Sequence, residues 1–435
     1  MVLPSTNRGT RSVQRRLPWL ALGIAALASL LLSACGSDDD NNNNGVAYSF
    51  AVLGCNRVDV PSQDDPSTAN LPQLQRTLAD IAAMQPPPNF IFFTGDLVLG
   101  LTPDLGTLRN QLEAWVQLYR ASPVGRNPAI RLVALPGNHE SLRLQLDDPQ
   151  CGVSNPGAEA VWLDVMAPFI AGDNGPTAGG PDQLETDQSR LTYSFNFRDT
   201  HFVILNTDPV GAVASVPVHW IADDLAAARR DRSIRRIFAL GHKPAFTPSD
   251  ATPDCSLDSN PDVRNVFWDA LTGASGTAYI TSHAHLYNRS QPATPTQPSV
   301  TKTWQVVAGN GGSPVDTMWE ASGAIPYYGY TVVTITTDGR ALLTGYGRNF
   351  DGSNYLAPSP AQQYPTTVRD SADITFAVSN GASRARAAAG MADPHSRRRQ
   401  KMAATAVAAT RPAIGSKICI LGTHVDWSSP SARSK

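Results

Sequence analysis

Leu132-Val133-Ala134-Leu135-Pro136-Gly137-Asn138-His139-Glu140 is the stretch that gives the fold away. An apolar run of strand length stops at Pro-Gly, and three polar side chains follow at once. Four other segments repeat this form. Phe50-Ala51-Val52-Leu53-Gly54 ends at Cys55, and Ile91-Phe92-Phe93-Thr94-Gly95 ends at Asp96. Ile237-Phe238-Ala239-Leu240-Gly241 ends at His242, and Tyr279-Ile280-Thr281-Ser282 ends at His283-Ala284-His285. Short runs rich in Val, Ile and Phe, bounded by Gly or Pro, predict strands. If these strands share a sheet, their polar ends converge at one edge, where open α/β sheets bind ligands.

Further apolar runs at Tyr48 to Leu53, Phe202 to Leu205 and Trp304 to Ala308 extend the strand series. Leu105, Leu108, Leu112, Trp115 and Tyr119 repeat at helical spacing, as do Trp220, Ile221, Leu225 and Ala228. Val332 to Ile335, Asp338-Gly339 and Ala341 to Leu343 read as a hairpin with a two-residue turn. Strands alternating with helices place residues 46–350 in the α/β class. Two Pro/Gly/Asp-rich insertions, 141–188 and 246–262, follow the His139 and His242 motifs and read as long binding loops.

Imidazole, carboxylate and amide oxygen are ligands for Zn, Mn or Fe. A glycine before four of the motifs lets the backbone turn tightly against a ligand. Singly, each signal has an ordinary explanation: Asp96 an Asx turn, a histidine after a strand a satisfied polar side chain. All of them in order, each after an apolar run, favour a metal site.

GDLV at 95–98, GNHE at 137–140, GHKP at 241–244 and SHAH at 282–285 together resemble the motif series of the calcineurin-like metallophosphoesterase superfamily. The resemblance implies a four-layer αββα sandwich and a phosphoric ester hydrolase with two divalent or trivalent ions, Zn, Mn or Fe. Asp96 would bridge them, Asn138, His242 and His283 would complete one shell, and His285 would bind the other ion. His139 would contact the phosphate and protonate the leaving oxygen. A metal-activated hydroxide would attack phosphorus in line.

The first motif departs from the family's usual DxH or DxR. Cys55-Asn56-Arg57 puts Cys55 where an aspartate ligand is expected. Three alternatives stand: a thiolate ligand favouring Zn, a mononuclear site, or a disulfide to Cys151 or Cys255. Because Cys151 and Cys255 lie in the two insertions, a bridge between those two is the preferred pairing. Arg57 either binds substrate phosphate bidentately or makes a surface salt bridge. Leu99 stands where purple acid phosphatases carry tyrosine, so no purple colour is expected. His201 reads as structural, and Asn310-Gly311-Gly312 as a tight turn near the active face. The rival readings are a catalytically impaired member that binds a phosphorylated ligand and a non-enzymatic surface lipoprotein.

The ends of the chain read differently from its middle. Arg8, Arg11, Arg15 and Arg16 precede an apolar run from Leu17 to Leu32, then Ser33-Ala34-Cys35. This predicts a signal peptide over 1–34, and LSAC resembles a bacterial lipobox, which implies a lipid on Cys35 and anchorage on the periplasmic or cell-surface side. The polar residues to Gly45 read as a tether. From 381 onward ten Lys/Arg against two Asp give +8, and 1–34 carries +4, leaving −14 for 35–380 within a total of −2. An acidic body argues against a nucleic-acid-binding role. Residues 351–435 are read as a basic, largely disordered extension.

Overall fold

The computed structural model describes residues 45–58, 68–145, 151–247, 255–294, 296, 302–350 and 364–376. The signal, lipidation and tether readings for 1–44, and the basic tail from 377, lie outside the described residues. Among the described residues, no helix is long and apolar enough to cross a membrane.

The chain runs β1 (Val46–Leu53), α1 (Leu71–Ala82), β2 (Phe90–Thr94), α2 (Leu105–Ala121), β3 (Arg131–Leu135), α3 (Asn138–Ser141), β4 (Leu142–Arg143), β5 (Val153–Ser154) and α4 (Ala158–Val165). It continues through β6 (Tyr193–Phe197), β7 (Thr200–Leu205), α5 (Val218–Arg230), β8 (Arg236–Gly241), α6 (Pro261–Gly273), β9 (Ala278–Thr281), β10 (Tyr287–Ser290) and β11 (Trp304–Ala308). It closes with α7 (Thr317–Ser322), β12 (Tyr327–Thr336), β13 (Ala341–Asn349) and β14 (Thr367–Asp373).

Twelve of these strands form two six-stranded sheets, as the expected αββα sandwich requires, and β4 and β5 pair separately. The first has the order β14-β13-β12-β1-β2-β3 and the second β10-β11-β9-β8-β7-β6. In the first, β1, β2 and β3 are parallel; in the second, β7, β8, β9 and β11 are parallel. The polar strand ends therefore come from the edges of two sheets.

The alternation of side chains along β1 shows why the layers stack. Phe50 and Val52 join Phe92, Phe202, Phe238, Ile280 and Val306 in a core between the sheets. Ala51 and Leu53 point the other way, into a core with Leu74, Leu78, Leu112, Trp115 and Trp162 of α1, α2 and α4. The outer face of the second sheet packs Val203, Leu205 and Ala239 against Ile221, Leu225, Phe267 and Trp268 of α5 and α6. The result is the αββα sandwich, with every parallel strand buried on both faces.

Helices begin where side chains satisfy open backbone donors. Asn70 accepts from Gln73 N at the start of α1, and Asp104 accepts from Gly106 N at 2.8 Å at the start of α2. Asp182, remote in sequence, accepts from His219 N at 2.8 Å and Trp220 N at 3.0 Å, and so caps α5.

Two sequence expectations need correction, and the preferred Cys151–Cys255 pairing is met. The first insertion is not all loop: it contains the β4–β5 ladder and α4, whose Val161 and Trp162 enter the core. Gly and Pro on either side hid that helix. The domain does not stop at 350, because β14 pairs antiparallel with β13 and the compact unit runs to Phe376. Cys55 is a free thiol, and Cys151 pairs with Cys255. That bridge joins the loops leaving the His139 and His242 motifs.

Phe50 is fully buried, and its ring meets Phe92, Phe202 and Phe238 at centroid distances of 5.2–5.4 Å. Phe50→Ala is expected to lower stability by about 3–5 kcal/mol, read from urea unfolding. A loss below about 1 kcal/mol would contradict the inter-sheet core.

Candidate metal centre

Cys55, Asp96 and Asn138 leave the parallel strands of the first sheet, and His242 and His283 leave those of the second. Their backbones are bent for the purpose. Cys55, Asp96 and His283 have φ of 54°, 57° and 66°, left-handed values uncommon outside glycine. Gly95 (φ 90°) could carry no side chain, since a Cβ there would stand 2.5 Å from His242 Nδ1. A Cβ on Gly137 would lie 2.3 Å from Asp96 Oδ1.

Four ligand-type atoms meet at the centre. Asp96 Oδ1 lies 3.2 Å from His242 Nε2. Asn138 Oδ1 lies 2.9 Å from His242 Nε2 and 3.0 Å from His283 Nδ1, and the two imidazole nitrogens are 3.2 Å apart. Cys55 Sγ, an Asp96 carboxylate oxygen and a His242 nitrogen all lie within 4.8 Å of one another.

The tautomers follow from backbone carbonyls, which only accept. His242 Nδ1 donates to Thr94 O at 2.8 Å, so its Nε2 lone pair faces the centre. His139 Nδ1 donates to Leu99 O and His285 Nδ1 to Pro314 O, the latter at 2.7 Å. Their Nε2 atoms are thereby the basic nitrogens. Fixing a ligand imidazole through its other nitrogen is usual at metal sites.

A donor set of this kind fits a metal ion. Neighbouring ligand atoms around an ion with bonds of about 2.1 Å stand about 3.0–3.4 Å apart in octahedral or tetrahedral arrangements. The observed separations of 2.9–3.2 Å match. An amide oxygen facing two imidazole nitrogens and a carboxylate also leaves too few protons to satisfy every pair.

The electrostatics agree. Burial raises the Asp96 carboxyl, but the charges of His242 and His139 outweigh it and hold the group well below the usual carboxylate range. Burial lowers His242, but Asp96 outweighs it, and the net shift is upward. The centre thus attracts a positive charge, which a metal ion would supply. His139 goes the other way: burial brings it down to about 3, with its Nε2 3.9 Å from Asp96 Oδ2. Burial, then Asp96, pushes the Cys55 thiol up.

The structure brings Asp96, Asn138, His242 and His283 into contact, with Cys55 and His139 beside them. Cys55 Sγ accepts from His283 N at 3.0 Å. His285 is anchored through Nδ1 to Pro314 O at 2.7 Å, which leaves Nε2 as its open nitrogen. Among the described residues Arg57 has no ion-pair partner, and its Nε is buried without a hydrogen bond, so the salt-bridge reading gains no support. His201 is structural, bonded to Asp224 Oδ2 at 2.8 Å and Asn196 Oδ1 at 2.6 Å. His219 is largely exposed beside Asp182, and His395 and His424 lie outside the described residues.

The Asn310-Gly311-Gly312 turn lies against the site, as its sequence suggests, while the partners of Lys243 and Glu140 had no signal in the strand-end motifs. Gly311 N donates to Gly54 O at 3.0 Å and Ser313 N to Cys55 O at 2.9 Å. Asn56 Nδ2 donates to Gly311 O at 2.8 Å, so the 310–312 turn braces the Cys55 loop. Lys243, directly after His242, forms a fully buried ion pair with Asp208 at 2.6 Å. Glu140 closes the quoted GNHE motif, and its position there was the only hint of a role.

Residues 50–287 match one family model, described as calcineurin-like phosphoesterase. No curated protein matches the chain. Among solved structures, a purple acid phosphatase isolated from yellow lupin (Lupinus luteus) seeds is 14% identical, with 76% of this chain and 54% of that chain covered and a TM-score of 0.47. This chain therefore spans about half the length of the lupin protein. The structure of PhoD is 13% identical, covering 75% of this chain and 69% of that one, with a TM-score of 0.52; this likeness shows a shared fold. A dimetal phosphatase from Danio rerio is 12% identical, covering 76% and 99%, with a TM-score of 0.44.

Metal bound only by the folded state stabilises it by about 2.7 kcal/mol at a free concentration 100 times its dissociation constant. Chelator-stripped protein should gain about that much on addition of Zn²⁺ or Mn²⁺, seen as a rise in Tm. Asp96→Ala should abolish the rise. A Tm indifferent to every divalent ion would contradict the site.

Proposed function

Because the chain belongs to the calcineurin-like phosphoesterase family, and is thus a metal-dependent phosphoric ester hydrolase, we propose that this centre would hold two ions, with Asp96 offering its carboxylate to both. Asn138, His242 and His283 would hold one ion, and Cys55 and His285 the other. The observation that carries this reading is the meeting of Asp96 Oδ1, Asn138 Oδ1, His242 Nε2 and His283 Nδ1 at 2.9–3.2 Å. When bound, the ions neutralise phosphoryl oxygens and make the attacking water acidic enough to ionise near neutral pH.

The chain's own residues do the rest. His139 keeps its Nδ1 proton on Leu99 O, so Nε2 is the atom that exchanges a proton with substrate. Burial leaves that imidazole neutral in the free protein. A phosphate dianion placed against Nε2 favours the protonated ring, which then donates to the departing alkoxide. Arg57 presents a guanidinium with no carboxylate partner among the described residues, and pairs with a phosphate oxygen of the substrate. The acidic flank of the centre, Asp96, is thereby balanced on the substrate side by one fixed cation.

Cys55 favours a second reading, a mononuclear centre. Its thiol is pushed up by burial and by Asp96, and only an adjacent cation would make it a thiolate. A metal count on purified protein separates the two. Two ions per chain support Cys55 as a ligand; one ion, rising to two in Cys55→Asp, supports the mononuclear centre.

We further propose that the hydrolase is lipid-anchored through Cys35 outside the cytoplasm. The basic, apolar and small-residue order of 1–35 supports this, as does a disulfide, which persists in oxidising compartments.

His139→Ala should reduce turnover of an aryl phosphate by about 10²–10⁴-fold while bound metal, measured by elemental analysis, is unchanged. Retained activity would sink the assignment of His139. Arg57→Ala should mainly raise KM, by roughly tenfold for the loss of about 1.5 kcal/mol from a charge-assisted bond; an unchanged KM would leave Arg57 without a role in substrate binding.

A further inference from the structure

Glu140 is almost completely buried, and both of its carboxylate oxygens are fully used by backbone donors. Oε2 accepts from Asp96 N at 3.0 Å and from Gly137 N at 2.8 Å. Oε1 accepts from Leu97 N at 2.7 Å and from Val98 N at 3.1 Å. No Lys or Arg forms an ion pair with it among the described residues. Four N–H groups drawn from two loops thus converge on one side chain. One loop carries Asp96; the other carries Asn138 and His139.

A buried carboxylate without a cation is costly unless its lone pairs are satisfied. Here the satisfaction is local and directional. Three consecutive amides, 96 to 98, can point at one carboxylate only if the chain turns sharply. Asp96 makes that turn with φ 57°, a left-handed conformation uncommon outside glycine. The same turn faces the Asp96 carboxylate toward His242 at 3.2 Å. The fourth bond, from Gly137, fixes the loop of Asn138 at a set distance from Asp96.

We propose that Glu140 is a positioning residue: by holding the 96–98 turn against the 137–140 loop, it sets the placement of Asp96 relative to Asn138 and His242, and so the metal affinity of the centre. This rests on the metal-dependent reading above. Glu140 touches neither substrate nor metal in this assignment; it acts through the backbone of the ligands.

Glu140→Gln is the test, because it keeps the shape but turns one oxygen into an NH₂ group facing backbone donors. Glu159→Gln is the control. Glu159 is also a buried carboxylate, accepting from Gln188 Nε2 at 2.7 Å and Val210 N at 3.0 Å, but it holds no ligand loop. Mn²⁺ and Zn²⁺ are titrated calorimetrically into the stripped full chain, with urea unfolding run in parallel. Both variants should lose stability. Only Glu140→Gln should lose metal affinity, by about 10–100-fold, as expected for a residue that orients ligands. At saturating metal its kcat for an aryl phosphate should fall while KM stays within about twofold of wild type. Metal affinity in Glu140→Gln within twofold of wild type would overturn the proposal. Should that variant fail to fold, Glu140→Asp, which keeps the charge but shortens the reach, is judged by the same criterion. Wild-type protein that binds neither ion would overturn the functional reading and this inference with it; wild-type binding with an unaffected Glu140 variant overturns this inference alone.

Discussion

Crowding of electron-rich atoms is the constraint on which this structure turns. A carboxylate oxygen, an amide oxygen and two imidazole nitrogens are held 2.9–3.2 Å apart in a buried place. Left to themselves such atoms repel or seek water, so each must be restrained from behind. The restraints are visible: Thr94 O on His242, Glu140 on the Asp96 turn, and Cys55 Sγ on the amide of His283. Backbone strain accompanies them in Cys55, Asp96 and His283. Strain of this kind persists only where the surrounding structure over-determines it.

What over-determines it is the double-sheet core. Phe50, Phe92, Phe202 and Phe238 interlock edge to face or stacked between the sheets, so one sheet cannot slide past the other without loss of packing. The candidate ligands come from both sheets, and their separation is therefore set by aromatic ring packing well below the site. Loop-to-loop bonds carry the precision to the surface, Gly54 with Ala308 and Cys55 with Ser313. The Cys151–Cys255 bridge closes a segment of 104 residues. In the chain-entropy description a loop of this size restricts the unfolded state by about 4–5 kcal/mol. It also ties together the loops that leave the His139 and His242 motifs.

Two imidazoles beside one carboxylate behave in opposite ways. His242, in contact with Asp96, is shifted upward despite its burial. His139, farther away, is dominated by burial and is brought down to about 3. One residue type thus serves in two capacities, and a difference of under 1 Å in its distance from Asp96 separates them.

The strands and the candidate ligand residues at their ends were legible in the sequence because both are local. Apolar runs ending in Gly or Pro-Gly and then a polar residue mark a strand end wherever they occur, and GDLV, GNHE, GHKP and SHAH carried the family resemblance. The hairpin at Asp338-Gly339 was legible for the same reason. The helices α1, α4 and α6 were less so, since their apolar faces are short and flanked by Pro, Gly and Asn. Tertiary structure alone decided the rest. It assigned each strand its neighbours within the two sheets, added β14 beyond residue 350, bound His285 to Pro314 O and gave Glu140 four backbone donors from two loops. Each of those outcomes depends on which distant segments meet. A sequence states what every segment can offer; packing of the two sheets determines which offers are taken up together.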